Sequence, residues 1–249
     1  MPSDFSIVRR FDGLNLSAND LCKRKVAPYF ELYPLRGSFF MQKFGSLLFP
    51  AALKEKSAGK KIAFIALFTA FSAVTNMFLE VKLFDLQFSL TVFVSIFTGV
   101  FLGPVFGFCA CFLGDLVGYF VNSWGQLYFF WVGLSTGLTA FISGVVTAFK
   151  TEKMGAIYAK IAIICVLHLF ICTIAVNSTG FYLYNKAMGF SKPLLDYVAE
   201  RFGGNADFFA YLCYRLFFKG QIINSAVNYA LLFAAVPLLS LNAELKKYL

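Results

Sequence analysis

The sequence predicts an all-α integral membrane protein, a bundle of six transmembrane helices. Three observations carry that prediction. Of 249 residues, 59% are apolar and only 14% are charged, whereas a soluble domain carries roughly 25% charged residues. The mean hydropathy is +0.72. Uncharged runs also recur at lengths suited to a bilayer, which needs about 20 residues per helix. Between Leu86 and Phe149, Asp115 is the only charge. A chain with 33 Phe cannot remain solvated, so disorder is excluded as well.

Charges and turn residues place the helices. Ile62 to Leu79 is uncharged, and a first span is expected over 62–79. The stretch from Leu86 to Phe149 has room for three more. Gly103-Pro104 can end one helix and seed the next. Asn122 to Gln126 reads as a polar turn. Spans are therefore expected over 87–103, 105–121 and 128–149, followed by 160–182 and 217–241. Residues 61–243 form the membrane domain on this reading. Residues 1–60 are an N-terminal extension, of which 1–40 can alternatively lie upstream of a start at Met41, and 244–249 are a tail.

Lysine and arginine mark the cytoplasmic side. Residues 1–61 carry 11 basic and 5 acidic groups, and Lys150, Lys153, Lys160, Lys246 and Lys247 fall in two further segments on the same side of an even number of spans. Both termini are expected to be cytoplasmic, with 80–86, 122–127 and 183–216 outside. The net charge of +9 is thus a topology signal rather than a nucleic-acid signature. The first long apolar stretch begins near residue 62 and reads as a retained span, not a cleaved signal.

Few side chains can carry chemistry. Asp115 is the one carboxylate inside a span; its cost there demands a cavity or a donor partner. It serves either a ligand's amino group or ring nitrogen, or a neighbouring helix. Trp124, Tyr128, Phe129, Phe130 and Trp131 suit an interfacial aromatic belt or the walls of a site for a flat heterocycle. Asn177 can meet a ring edge or another helix. Arg215 and Lys219, one turn apart, can snorkel to head groups or hold an anionic ligand. Ala66 and Ala70 share a face on which another helix can approach closely, within this chain or from a partner.

Other chemistries lack their apparatus. The six Cys, at 22, 109, 111, 165, 172 and 213, show neither paired nor metal-ligand spacing and read as apolar fillers. There is one His, no Gly-x-x-x-x-Gly-Lys-Ser/Thr loop for ATP, and no pair of intramembrane carboxylates. Catalysis is not expected, and no metal or other cofactor is implied.

Together, the Ala66-x-x-x-Ala70 face, the Gly103-Pro104 break and the Gly114-Asp115-Leu116-Val117-Gly118-Tyr119 run resemble the substrate-binding S component of energy-coupling factor (ECF) vitamin transporters. Within that group, Phe88 upstream of Gly99, Gly103, Pro104 and Gly107, with Asn177-Ser178-Thr179 and Arg215-x-x-x-Lys219, is most similar to the folate family. The resemblance covers residues 42–243.

It implies a subunit in a bacterial cell membrane that captures a vitamin from outside. A separate membrane coupling protein and two cytoplasmic ATPases would drive uptake, so that ATP is used only by those partners. Ala66 and Ala70 would dock the coupling protein. Gln87, Phe88, Asp115, Tyr119, Trp124, Trp131, Asn177, Arg215 and Lys219 would surround a flat vitamin, folate-like first. Riboflavin, pantothenate, a thiamine precursor or a queuosine precursor are alternatives, as is a non-transporting six-span scaffold.

Overall fold

The computed structural model describes residues 57–78, 80–83, 86–121, 127–149, 151 and 153–241. Residues 1–56, Trp124 and the tail therefore lie outside the described residues. In chain order the elements are α1 (Ala58–Phe78), a hairpin of β1 (Glu80–Leu83) and β2 (Leu86–Ser89), α2 (Thr91–Val121), α3 (Phe130–Thr147) and α4 (Met154–Leu167). A wide-turned π stretch (His168–Ser178) joins α4 to α5 (Thr179–Met188). Then come α6 (Lys192–Phe202), α7 (Phe208–Cys213) with a second π stretch (Tyr214–Phe218), and α8 (Gln221–Leu241). Among the described residues, Ala58–Met77, Thr91–Val121, Phe130–Thr147 and Met154–Met188 are long and apolar enough to cross a membrane, with Phe208–Phe218 and Gln221–Pro237 apolar but shorter. The protein is a helical membrane protein.

α2 holds the segment expected as two spans, and it is bent rather than straight. Gly103 breaks the helical path with φ 78° and ψ 179°, a region that only glycine enters at little cost, and Pro104 starts the next helical turn. A methyl group on Gly107 would lie 2.9 Å from the Cα of Gly99. In a continuous helix, residues eight apart are separated by about 12 Å. The two halves of α2 therefore fold back on each other at Gly103.

Small residues let the other helices close on this bend. A methyl on Gly144 would fall 2.6 Å from the carbonyl carbon of Gly103, and one on Gly99 would collide with the Ala140 carbonyl and the Ser143 hydroxyl of α3. Gly114, in the second half of α2, meets Ser72 of α1 at 2.6 Å in the same sense. Helices in lipid gain little by hiding apolar surface from one another, so such backbone-to-backbone contact is what holds them. Beside the seam, Ile96, Ile157, Ile161, Ile164, Leu232 and Val236 pack α2, α4 and α8 together.

Several boundaries differ from the sequence expectation. Residues 86–89 pair with 80–83 in an antiparallel hairpin, Val81 opposite Phe88 and Leu83 opposite Leu86, so the second span begins at Thr91 and not near 87. The hairpin hangs on α8: Asn228 Nδ2 donates to the Ser89 carbonyl at 2.7 Å, while its Oδ1 accepts from Phe93 N–H and Asn224 Oδ1 accepts from Ser89 N–H, both at 2.9 Å.

The segment 183–216, expected as an outer connection, is mostly helical. Leu194, Val198, Ala210, Tyr211 and Tyr214 form its own buried cluster, Asp207 caps α7 by accepting from Ala210 N–H at 2.8 Å, and Gly203 ends α6 in the left-handed conformation. The last apolar helix starts at Gln221, after Gly220 at φ 70°, and not at 217. The fifth begins earlier and ends later than 160–182, at 154 and 188.

Side-chain contacts set the levels of the bundle. Phe129 and Phe181 meet ring to ring at 5.1 Å, Ser135 donates to the Cys172 carbonyl at 3.1 Å, and Ser143 donates to the Ile96 carbonyl at 3.0 Å. α3 and the α4–α5 helix thus run antiparallel, with Phe129 and Phe181 at one end.

Candidate functional site

A cavity of about 690 Å³ lies between the helices at the end marked by Phe129 and Phe181, a volume typical of a small-molecule site. α3 contributes Val132, Ser135, Thr136 and Thr139; the α4–α5 helix contributes His168, Thr173, Asn177 and Phe181. α1 adds Asn76 and Met77, the two halves of α2 add Ser95 and Asp115, and Arg215, Gln221 and Asn224 close the wall. From Phe129 to Thr139 the α3 residues descend about 15 Å at 1.5 Å per residue. Leu127, Tyr128, Phe129, Tyr119 and Phe181 form an aromatic mouth, with Asp115 on Tyr128 and Arg215 on Phe181 beside it, and Ser95, Ser135, Thr139, His168 and Thr173 a hydroxyl-rich closed end. Ser95, Thr139, His168 and Thr173 are all at most 3% exposed.

The π stretches explain how the polar residues reach this space. Eleven residues from His168 to Ser178 follow the wider π turn, which shifts each side chain's heading relative to an α-helix. His168, Thr173 and Asn177 then all face the cavity. Arg215 sits in the shorter π stretch. Its guanidinium lies 4.4 Å from the centre of the Phe181 ring, a cation–π distance.

Asp115 is held on both oxygens. Tyr128 Oη donates to Oδ2 at 3.1 Å and Asn76 Nδ2 to Oδ1 at 3.5 Å. Asn76 Oδ1 in turn accepts from Thr91 Oγ1 at 2.8 Å. Burial, and then the neighbouring carboxylate, hold the Tyr128 phenol well above its usual pKa, which keeps it a donor. By contrast, Asn177 Oδ1 and Arg215 Nε are buried without a hydrogen-bond partner among the described residues. Buried polar atoms left unpaired are costly, so both are groups that a polar ligand would satisfy.

The cavity brings together Asp115, Tyr119, Asn177 and Arg215 from the sequence-derived set. Three others lie outside its lining. Phe88 sits half-buried on β2. Trp131 stands behind the wall, 5.0 Å from the Phe129 ring, 5.6 Å from Phe181, and pressed on Gly180, where a methyl would lie 2.6 Å from the indole. Lys219 is exposed, its Nζ 5.9 Å from the Tyr214 ring. The side chain of Gln87 and all of Trp124 lie outside the described residues.

Sequence reasoning missed Asn76, His168, Asn224 and the Ser/Thr residues of the closed end. Their signal was only that each is polar within an apolar run. Hydroxyl residues inside helices commonly bond their own backbone, as Thr139 does to the Ser135 carbonyl at 2.7 Å, so their presence does not announce a cavity. Ala66 and Ala70 are exposed on α1 beside Ile62, Leu67, Phe71 and Val74. Among the described residues no three His, Cys, Asp or Glu gather as a metal site would require. The five described cysteines are free.

A polar-lined cavity opening at one end of an apolar helical bundle defines a membrane-embedded binding protein for a small molecule. Residues 56–205, more than half of the chain, match the family model of the ECF-type riboflavin transporter, S component. The chain belongs to that family, the substrate-binding components of ECF transporters. Arg215, Gln221 and Asn224 lie beyond the matched residues. A comparison with curated proteins found no match.

Proposed function

We propose that this S component captures riboflavin, or a vitamin of the same build, from outside the cell for uptake driven by partner subunits. The observation that carries the reading is the division of the cavity into an aromatic mouth and a hydroxyl-rich closed end. Riboflavin is a flat, largely apolar tricycle bearing a chain of hydroxyls, and each part has a matching zone. Asn177 Oδ1 and Arg215 Nε, otherwise unpaired, suit the donors and acceptors on a heteroaromatic ring edge.

Charge separates riboflavin from folate. One carboxylate, Asp115, and one guanidinium, Arg215, line the described cavity, so their formal charges cancel. That balance favours a neutral vitamin. Folate carries two carboxylates, and Lys219, the second cation that its motif supplies, stands outside the lining. Calorimetry of the purified full chain against riboflavin, folate and other B vitamins tests the proposal. Riboflavin binding below about 1 μM, about −8 kcal/mol, is the expected result; tight folate binding would replace it, and no vitamin binding would overturn the reading.

The transport setting is part of the same proposal. The fold-back at Gly103 supports two passes within α2, and the shorter Phe208–Phe218 and Gln221–Pro237 helices follow it, the latter as the last of six spans. Both termini then face the cytoplasm of a bacterium and the cavity faces outward. Ala66 and Ala70, exposed on an apolar face, are placed to dock the membrane coupling protein, to which two ATPases attach. Ala66→Trp should leave vitamin affinity unchanged in detergent and abolish uptake in cells supplied with those partners. Normal uptake would remove this face from the docking role.

A further inference from the structure

Toward the closed end of the cavity three hydroxyl groups of α3 share a pattern. Ser135 donates to the Cys172 carbonyl at 3.1 Å, Thr136 to Gly133 at 2.8 Å and Thr139 to Ser135 at 2.7 Å. These three hydroxyls have spent their hydrogens on the backbone, and what remains on each oxygen is acceptor capacity; the Ser95 hydroxyl, by contrast, is buried with no partner among the described residues. A ligand hydroxyl both donates and accepts. Acceptors alone therefore satisfy only half of it.

His168 supplies a ring N–H donor for the other half, at the level where the unpartnered Ser95 hydroxyl also lies. Its ring is 3% exposed and lines the cavity, with Nδ1 2.7 Å from Tyr229 Oη of α8. A phenol is the stronger acid of the two and an imidazole nitrogen the stronger base, so the tautomer assigned to His168 has Tyr229 Oη donating to Nδ1 and the ring proton on Nε2. Among the described residues the ring's hydrogen bond is the one at Nδ1, which leaves Nε2–H to the cavity that His168 lines. Its level is set by sequence: nine residues before Asn177 and thirteen before Phe181 on the same continuous helix, well below the aromatic mouth.

We propose that His168, held by Tyr229 as the Nε2–H tautomer, is a specificity-determining donor that reads a hydroxyl or carbonyl oxygen at the leading end of the vitamin. The vitamin enters with its hydroxylated chain first and its ring remaining at the mouth. This rests on the vitamin-binding reading above. Tyr229 is a positioning residue, acting through His168 and not on the ligand.

The test compares an intact vitamin with its bare ring on the full chain: riboflavin against lumiflavin, or folate against 6-methylpterin if folate is what binds. His168→Leu should weaken the intact vitamin by about 10- to 100-fold, as expected when a buried hydrogen bond to a substrate oxygen is lost, while the bare ring changes little. His168→Gln, which keeps a donor, should recover most of the loss. Tyr229→Phe should weaken the intact vitamin in the wild-type background and add nothing in His168→Leu. Equal losses for vitamin and ring, or no loss in a protein that elutes and melts as wild type, would overturn the assignment of His168 while leaving the vitamin-binding reading in place. A wild-type protein that binds no vitamin would overturn both.

Discussion

The two ends of the bundle are made from the same helices, yet one is sealed and the other holds about 690 Å³ of open space. At the sealed level Gly99, Gly107 and Gly144 bring α2 and α3 into contact through their backbones. One turn away on α2, Ser95 lines the cavity, and Thr139 does so one residue before the Ala140 that Gly99 touches. The same helices α2 and α3 run through both levels. Side-chain size and the bend at Gly103 are what differ, so the depth of the cavity is set by where the glycine seam stops.

Disturbing the seam should have the largest effect. Gly144→Leu forces a side chain into the backbone at Gly103 and Pro104; overpacking of this kind costs about 3 kcal/mol or more, a fall of roughly 6–12 °C in Tm for a chain of this size. Gly155, with no atom within 4 Å of its added methyl, should accept Gly155→Leu without comparable loss. Equal melting of the two variants in detergent would show that the seam does not define the sealed end.

At the open end, Arg215→Ala should weaken the vitamin by about 2 kcal/mol, or about 30-fold, the scale of a hydrogen bond to a charged group, with little change in Tm. A lower Tm with unchanged affinity would make Arg215 a packing residue on Phe181 rather than a ligand contact. The smallest effect is expected at the junction between the ends. Asn228→Ala strands Phe93 N–H and the Ser89 carbonyl and should cost about 1–2 kcal/mol of stability. The hairpin should become the fastest-exchanging backbone in hydrogen exchange; unchanged protection there would mean that Asn228 does not hold it.

How much of this was legible in the sequence depended on how unusual each residue is in its surroundings. A carboxylate at 115 and a guanidinium at 215 stand out against apolar neighbours, and both line the cavity. Asn177 was found the same way, while Tyr119 came only with the Gly114-to-Tyr119 run that the family resemblance supplied. The Ser/Thr closed end was not, because hydroxyl side chains that bond their own helix carry little penalty in an apolar run. Trp131 misled in the opposite direction: an aromatic residue near a helix end suits a ligand wall, and here it supports Phe129 and Phe181 from behind. The hairpin at 80–89 and the helices within 183–216 went unread, since short amphipathic segments look like loops when only charge-free length is counted.

The sequence by itself determined that the chain resides in a membrane, that a break falls at Gly103-Pro104, and that its few charged groups within apolar runs need partners. Those follow from transfer free energies and backbone sterics, which act locally. Only the tertiary structure decided that Asp115, Asn177 and Arg215, separated by 62 and 38 positions (177 − 115 and 215 − 177), share one cavity with His168 beneath them. Two π stretches and a glycine-lined fold-back set the headings of the helices there, and neither can be read from hydropathy.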